Sequence, residues 1–256
     1  MRQLLIYIGK RKCFDAESEI LIKVQIDNSL SLGWKREDIL LCTNFPYEYN
    51  GVKALELGDE NFCRFVRQAC KINVIIDLFQ KGLIGKELYW MHDLDVFQME
   101  PLEVEVEEDK IALCDHGVYP KWNTGSIFCR DGSKYIFQRI KDVVYQYRTD
   151  EERALFSLTG NKVRLLSVHS VRGKIPASNE LTDKVKKLNI TYNFSPAYFE
   201  ENLKIVDRPI RVVHFHPIKV KRWSTNNNME LFYPILTDNL KLIFKKRELQ
   251  TPEGLH

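Results

Sequence analysis

Leu88-Tyr89-Trp90-Met91-His92-Asp93-Leu94-Asp95 decides how the chain is read. Residues 88–91 form a short apolar run that reads as a strand, and the run meets two acids one residue apart. In extended backbone, alternate side chains share a face, so Asp93 and Asp95 point into one site while Leu94 turns to the core. Two hard oxygen donors so placed suit Mg²⁺ or Mn²⁺ and leave positions for water and phosphate oxygens. The competing reading is an acidic turn after a strand, since Asp is common in turns.

Outward from this stretch, short apolar runs alternate with helical periodicity. On the N-terminal side, residues 4–8 read as a first buried strand. Residues 16–32 read as a helix closed by Gly33, because glycine is favoured just past a helix end. A second strand follows at 39–43 and a third at 52–57. Phe65, Ala69, Ile72, Ile76 and Phe79 recur at spacings of four, three, four and three, which is one face of a helix. On the C-terminal side, strands are expected at 111–114, ending at Asp115, and at 126–129. A helix with Ile136, Phe137, Ile140, Val143, Val144 and Tyr147 on one stripe comes next, then strands at 163–168 and 210–215. A helical tail with a basic end is expected at about 229–249. Strands alternating with helices predict an α/β layered domain with a mixed, mostly parallel central sheet flanked by helices. Ligands of such sheets sit beyond the carboxyl ends of the strands.

The bulk properties bound the function. The 256 residues are 44% hydrophobic and 29% charged, which suffices for a sizeable core. Thirty-eight basic against 35 acidic residues leave only +3, too weak a bias for a typical nucleic-acid binder. The six cysteines lie apart with no C-x-x-C pair, so they read as buried thiols of a reducing compartment. No apolar stretch approaches the ~18 residues of a membrane span. A cytoplasmic protein is expected, with at most peripheral membrane contact through the tail.

Further polar residues fall near strand ends. Ile210-Arg211-Val212-Val213-His214-Phe215-His216 ends in two histidines on one face, followed by Lys219, Lys221, Arg222 and Trp223. An imidazole can complete coordination of the Asp pair, and nearby cations can hold a diphosphate. A surface basic loop is the plainer alternative. In Trp122-Asn123-Thr124-Gly125-Ser126, glycine permits close backbone approach to a ligand, and Asn and Thr offer hydroxyl partners; taken alone, a turn explains it. Thr149 and Glu152 have the spacing of a capping box, which leaves Asp150 or Glu151 as acids facing a sugar or acceptor. Asp115 is a further ligand-orienting candidate. Glu103, Glu105, Glu107, Glu108 and Asp109 read as a solvated face.

Taken in order, these segments resemble the nucleotide-sugar glycosyltransferases of the GT-A fold, most nearly the glycogenin-like retaining transferases. The 88–97 stretch resembles their strand ending in a metal-binding D-x-D. Leu113-Cys114-Asp115 with Trp122-Asn123-Thr124-Gly125-Ser126-Ile127-Phe128 resembles their acidic strand end and sugar-facing N-(S/T/A)-G segment. Thr149-Asp150-Glu151 with Ala154-Leu155 resembles their D-(Q/E)-x-x-L helix start, and Val213-His214-Phe215 with Lys221-Arg222-Trp223 their HF…KPW element. The resemblance covers residues 1–225 and implies one catalytic domain over residues 1–256.

The resemblance further implies that Asp93, Asp95 and His214 hold Mn²⁺ (or Mg²⁺). Lys221 would meet the diphosphate, with Lys219 as its rival. Lys71 is similar to a family lysine near the donor, Asn123, Thr124 and Gly125 would contact it, and Thr43 and Asn44 are placed near the base or ribose. The implied reaction moves a sugar from a nucleoside-diphosphate sugar, UDP-sugar favoured, to a hydroxyl of a saccharide or glycoconjugate, with Asp150, Glu151 and Asp115 as catalytic candidates. Arg222 stands where the family has Pro, and the His214-to-Lys221 spacing is one residue longer, so His216 rivals His214. Glu151 replaces the usual Gln, which leaves retention or inversion open. Two other classes compete: a metal-dependent phosphodiesterase or nuclease using Asp93, Asp95, Asp115 and Glu151, and a non-catalytic sugar-nucleotide-binding module.

Overall fold

The computed structural model describes residues 1–164, 173–195 and 199–214. The chain opens with β1 (Arg2–Tyr7), after which Asp15 caps helix α1 (Ala16–Ser31) by accepting the Ser18 N–H at 2.8 Å. Gly33, at φ +90°, turns the backbone away from the helix end toward β2 (Ile39–Thr43). The apolar run at 52–57 is not one strand. It divides between a small hairpin, β3 (Glu48–Tyr49) with β4 (Val52–Lys53), and a separate short strand, β5 (Leu55–Glu56).

Helix α2 (Cys70–Gln80) begins later than its apolar stripe suggests, because Ala69 belongs to a 3₁₀ turn and Phe65 precedes both. Then come β6 (Tyr89–His92), β7 (Val96–Gln98), β8 (Ile111–His116) and β9 (Tyr119–Cys129). Helices α3 (Lys134–Tyr147) and α4 (Glu151–Leu158) follow, then the pair β10 (Val163–Arg164) and β11 (Lys174–Ile175). The described chain finishes with β12 (Val185–Lys187), α5 (Phe199–Leu203) and β13 (Val212–His214). Most of the expected strand at 163–168, Phe215, His216, Lys219, Lys221 and the tail at 229–249 lie outside the described residues.

Seven strands form the central sheet in the order β12-β8-β9-β6-β1-β2-β5. Every neighbouring pair is parallel except the two made by β9. The parallel strands therefore end on one edge. Alternate residues feed opposite faces, as a buried strand requires. Tyr89 and Met91 of β6 join one core with α2, α3 and α4, while Trp90 faces the other with Val96, Phe97 and Val213. Ile111 and Leu113 of β8 likewise separate from Ala112 and Cys114. On the α1 side, Leu5, Leu41, Ile22 and Ile26 pack together. Each such side chain, fully buried, contributes roughly 1.5–3 kcal/mol.

The five cysteines from Cys42 to Cys129 are buried and free, and Cys13 is exposed. The acidic run from Glu103 to Asp109 lies at the surface, as its composition suggests. Among the described residues no helix is long and apolar enough to cross a membrane.

Candidate metal and donor site

The D-x-D stretch does not continue a strand. Asp93-Leu94-Asp95 forms the turn between β6 and β7, closed by Val96 N–H donating to Asp93 O at 3.1 Å. The two carboxylates therefore converge through the turn, not through strand alternation, while Leu94 still packs against the α1-side core. Strand β13 runs antiparallel to β7 and pairs His214 with Val96. That register carries His214 Nε2 to 3.3 Å from Asp95 Oδ1. One ligand atom each from Asp93, Asp95 and His214 lies within 4.8 Å of the others. Burial lowers the proton affinity of His214, but the Asp95 carboxylate outweighs it and holds the imidazole above its ordinary pKa.

Gly125 makes this convergence possible. A Cβ there would lie 2.3 Å from His214 Cε1 and 2.5 Å from Nδ1, well inside contact distance. The glycine sits in an irregular part of β9, not in a loop between strands. Against β8 the pairing steps from Leu113–Ile127 to Cys114–Asn123, so Thr124, Gly125 and Ser126 bulge out of that ladder. The bulge stays joined to β6, where Ser126 opposes His92 and Asp93 N–H donates to Gly125 O at 2.9 Å. Asn123 Oδ1 accepts the Gly125 N–H at 3.0 Å, so this side chain shapes the bulge as well as bordering the site.

Lys71, at the start of α2, is buried and reaches four groups. Its Nζ lies 2.9 Å from Asp93 Oδ1, 2.9 Å from Glu151 Oε1, 3.0 Å from Thr124 O and 3.3 Å from Thr124 Oγ1. Burial alone would lower its pKa, but the Asp93 and Glu151 carboxylates hold the ammonium above its usual value. Glu151 is buried too, and desolvation raises its pKa against the pull of Lys71. Thr124 Oγ1 donates to Glu151 Oε1 at 3.0 Å, and Glu151 Oε2 has no hydrogen-bond partner among the described residues.

Helix α4 starts one residue later than a Thr149 capping box would place it. Asp150 is the N-cap, accepting Arg153 N–H at 2.8 Å and pairing with the Arg153 guanidinium. Glu152 is thereby released from capping. It pairs with Lys121 Nζ at 3.0 Å, lies 3.8 Å from His116 Nε2 and accepts Thr124 N–H at 3.4 Å. Burial opposes its charge, yet His116 and Lys121 hold its pKa well below the usual carboxylate range. Consecutive acids of one helical turn thus grip Thr124 from two sides.

The other expected residues are placed as follows. Asp115 lies inside β8, not after it, and is buried; it accepts Gly117 N–H at 3.0 Å and pairs with Lys187. Thr43 donates to Phe45 O, and Asn44 is tied to both backbone groups of Gly9, at 2.9 and 3.0 Å, and to Asp59. Neither lines the cleft that opens beside Asp93 and Asp95. That cleft holds about 340 Å³ and runs from Asp93 and Asp95 past Lys71 to Tyr7, Asp15 and Arg67.

Tyr7, Asp15 and Arg67 are not singled out by any motif. Tyr7 OH donates to Asp15 Oδ2 at 3.0 Å, Arg67 Nη2 donates to the same oxygen at 3.2 Å, and the guanidinium lies 5.1 Å from the Tyr7 ring centre. The one available signal is Asp15 directly before the helix at Ala16, a capping position on the edge where the parallel strands end.

No protein-family model matches the chain, and no curated protein matches it. Solved structures do. The galactosyltransferase LgtC, in complex with donor and acceptor sugar analogues, superposes with TM-score 0.51 at 11% identity, over 84% of this chain and 87% of that one. A glycosyltransferase involved in glycosylation of the major capsid of PBCV-1 gives 0.53 at 11%, over 84% and 93%. The glycosyltransferase GlyE of Streptococcus pneumoniae gives 0.52 at 14%, over 83% of this chain but only 54% of that one. The chain carries the GT-A fold of these glycosyltransferases; at such identities the likeness is one of fold.

Proposed function

We propose that the chain is a metal-dependent glycosyltransferase that moves a sugar from a nucleoside-diphosphate sugar, UDP-sugar favoured, to a hydroxyl of a saccharide or glycoconjugate. The observation that carries this reading is the convergence of Asp93, Asp95 and His214 within 4.8 Å, at the end of β6, beside a cleft of about 340 Å³. Two carboxylates and an imidazole form a donor set that suits Mn²⁺, with Mg²⁺ as the harder alternative. The space cleared by Gly125 fits the same purpose, since only a residue without Cβ lets His214 close the triad. A divalent ion bound there supplies Lewis-acid neutralisation of charge on the departing diphosphate.

In the reaction the C1–O bond breaks with its electron pair leaving on the nucleoside diphosphate, a bond from C1 to the acceptor oxygen forms, and the acceptor's proton passes to the departing diphosphate or to water. Lys71 orients the Asp93 carboxylate through its contact at 2.9 Å. Glu151, Asn123 and the Thr124-Gly125-Ser126 bulge flank the triad, and Glu151 Oε2 is buried without a hydrogen-bond partner among the described residues. Asp150 and Asp115 already have partners in Arg153 and Lys187, so they are the weaker catalytic candidates. The phosphodiesterase alternative needs Asp115 and Glu151 in the ligand cluster. Among the described residues the converging group is Asp93, Asp95 and His214 without them. Diphosphate contact by Lys221 or Lys219 stays part of the proposal, as does a single catalytic domain over residues 1–256. The free cysteines fit a cytoplasmic location.

Calorimetric titration of UDP, then GDP, with and without Mn²⁺ tests the reading on wild type and Asp95→Asn. Mn²⁺-dependent binding of one nucleotide, lost in the variant, is expected. Absence of binding for either nucleotide under any metal would sink the transferase reading and bring the non-catalytic and phosphodiesterase readings forward.

A further inference from the structure

The turn that presents Asp93 and Asp95 is held from behind by two buried side chains that the transfer chemistry does not use. We propose that His92 and Gln25 are positioning residues of the cation site, fixing the backbone of the Asp93-Leu94-Asp95 turn so that both carboxylates meet the ion without rearrangement. This inference rests on the metal reading above and goes a step deeper into the same site.

Gln25 reaches across from α1. Its amide Nε2 donates to Leu94 O at 2.8 Å and to Val96 O at 2.5 Å, pinning the middle and the exit of the turn. His92 pins its entrance. Nδ1 lies 2.9 Å from Asp93 O, and Nε2 lies 2.6 Å from Gln3 Nε2. A carbonyl oxygen only accepts, so Nδ1 carries the ring proton. Nε2 of the neutral ring is then an acceptor, and the Gln3 amide donates to it. The whole chain of bonds has one consistent direction: Gln3 to His92 to Asp93 O.

The ring is buried, only 2% exposed, so these two partners account for both of its nitrogens. The ring cannot swing away, because it stacks on Trp90 with centroids 4.0 Å apart, and Trp90 Nε1 is itself tied to Ser126 Oγ at 2.8 Å. Asp93 O accepts from both His92 and Val96 N–H, and Asp93 N–H is held by Gly125 O. Each polar backbone group of Asp93 is therefore fixed before any ion arrives. An apolar residue at 92 would satisfy the packing but leave Asp93 O with the Val96 N–H as its one remaining donor among the described residues. Partners of this outer kind orient the groups that touch a metal.

Two measurements test the assignment. Long-range ¹⁵N–¹H spectra of the imidazoles at neutral pH should place the His92 proton on Nδ1; a proton on Nε2 overturns the inference, because the bond to Asp93 O cannot then form. Calorimetric titration of Mn²⁺ alone compares wild type with His92→Leu, His92→Asn and Gln25→Leu. The two Leu variants should bind Mn²⁺ about 10- to 100-fold more weakly while keeping the wild-type circular dichroism. His92→Asn, whose amide nitrogen replaces Nδ1, should stay close to wild type. Folded Leu variants with undiminished Mn²⁺ affinity overturn the positioning role, and Gln25→Leu with the tautomer carries the test if His92→Leu does not fold. Failure of the unmutated chain to bind Mn²⁺ defeats the metal reading and the positioning role together, and that failure is distinct because no variant is involved.

Discussion

Gly125 is the position where one methyl group should matter most. Its missing Cβ is the space that His214 Cε1 occupies, and the contact at 2.3 Å cannot be relieved by a flexible chain end, because His214 is buried on β13. Gly125→Ala should therefore push His214 away from Asp95 and weaken Mn²⁺ binding by about 10- to 100-fold, the range seen when a ligand loses its support. Titration calorimetry on a variant with unchanged circular dichroism checks this; wild-type affinity would show that His214 is not needed by the ion. Lys71 invites a second prediction. Lys71→Met leaves Glu151 buried without its cation, a change that costs roughly 3–5 kcal/mol when a buried pair is broken. Glu151 already has a folded-state pKa raised above its unfolded value, and losing Lys71 raises it further. The folded variant then binds more protons than the unfolded chain above the unfolded Glu pKa, so its stability rises as pH falls from neutral toward that value. Urea unfolding of Lys71→Met at neutral and mildly acidic pH measures the effect, and Lys71→Met with Glu151→Gln should remove the pH dependence. The convergence of Asp93, Asp95 and His214 was legible in the sequence because their residue types and order match a cation donor set. Glu152 was not, because its spacing from Thr149 offers a complete local explanation that only the three-dimensional partners Lys121 and His116 displace.

Local pattern and final element agree best where one face of an element is fully buried. Helix α3 shows its stripe plainly, and Ile136, Phe137, Ile140 and Val144 are all at most 1% exposed. Helix α2 is apolar nearly all round, from Ile72 through Leu78, so periodicity alone extends the stripe back to Phe65 although the helix begins at Cys70. Strand β9 misleads in the opposite direction. Its polar centre, Trp122-Asn123-Thr124-Gly125, reads as a loop because nothing local shows that β8 pairs again at Asn123 and Trp122 beyond the bulge, while β6 holds the strand at Ser126. Short strands such as β7, β12 and β13 carry three residues each and owe their existence to their partners. Ile75 lies at the centre of α2, 0% exposed against the sheet and the neighbouring helices. Ile75→Ala should lower the unfolding free energy by about 2–5 kcal/mol, as buried large-to-small changes do. Denaturant unfolding at unchanged m-value is the measurement, and a loss well under 1 kcal/mol would mean that this layer collapses to refill the space.

Across the whole molecule the site gathers groups that are distant in sequence and belong to different layers. Lys71 comes from α2, Asp93 and Asp95 from the β6–β7 turn, the bulge from β9, Glu151 from α4 and His214 from β13. Unfolding of the sheet must therefore disperse the triad, and a ligand that binds the triad stabilises the entire fold. By mass action, nucleoside diphosphate with Mn²⁺ at about one hundred times its dissociation constant adds ~2.7 kcal/mol. For a domain of this size that corresponds to a rise of about 5–10 °C in melting temperature. The rise should need both components. Nucleotide with a chelator, or Mn²⁺ and nucleotide with Asp95→Asn, should leave the melting temperature near that of the free protein. Thermal denaturation in these conditions, and with Mn²⁺ alone, separates the readings. A shift with nucleotide that survives chelation places the binding energy in the cleft around Tyr7, Asp15 and Arg67 and not at the triad. A shift with Mn²⁺ alone that nucleotide does not enlarge marks a cation site uncoupled from the cleft, and the transferase reading then loses the link between metal and diphosphate on which it depends.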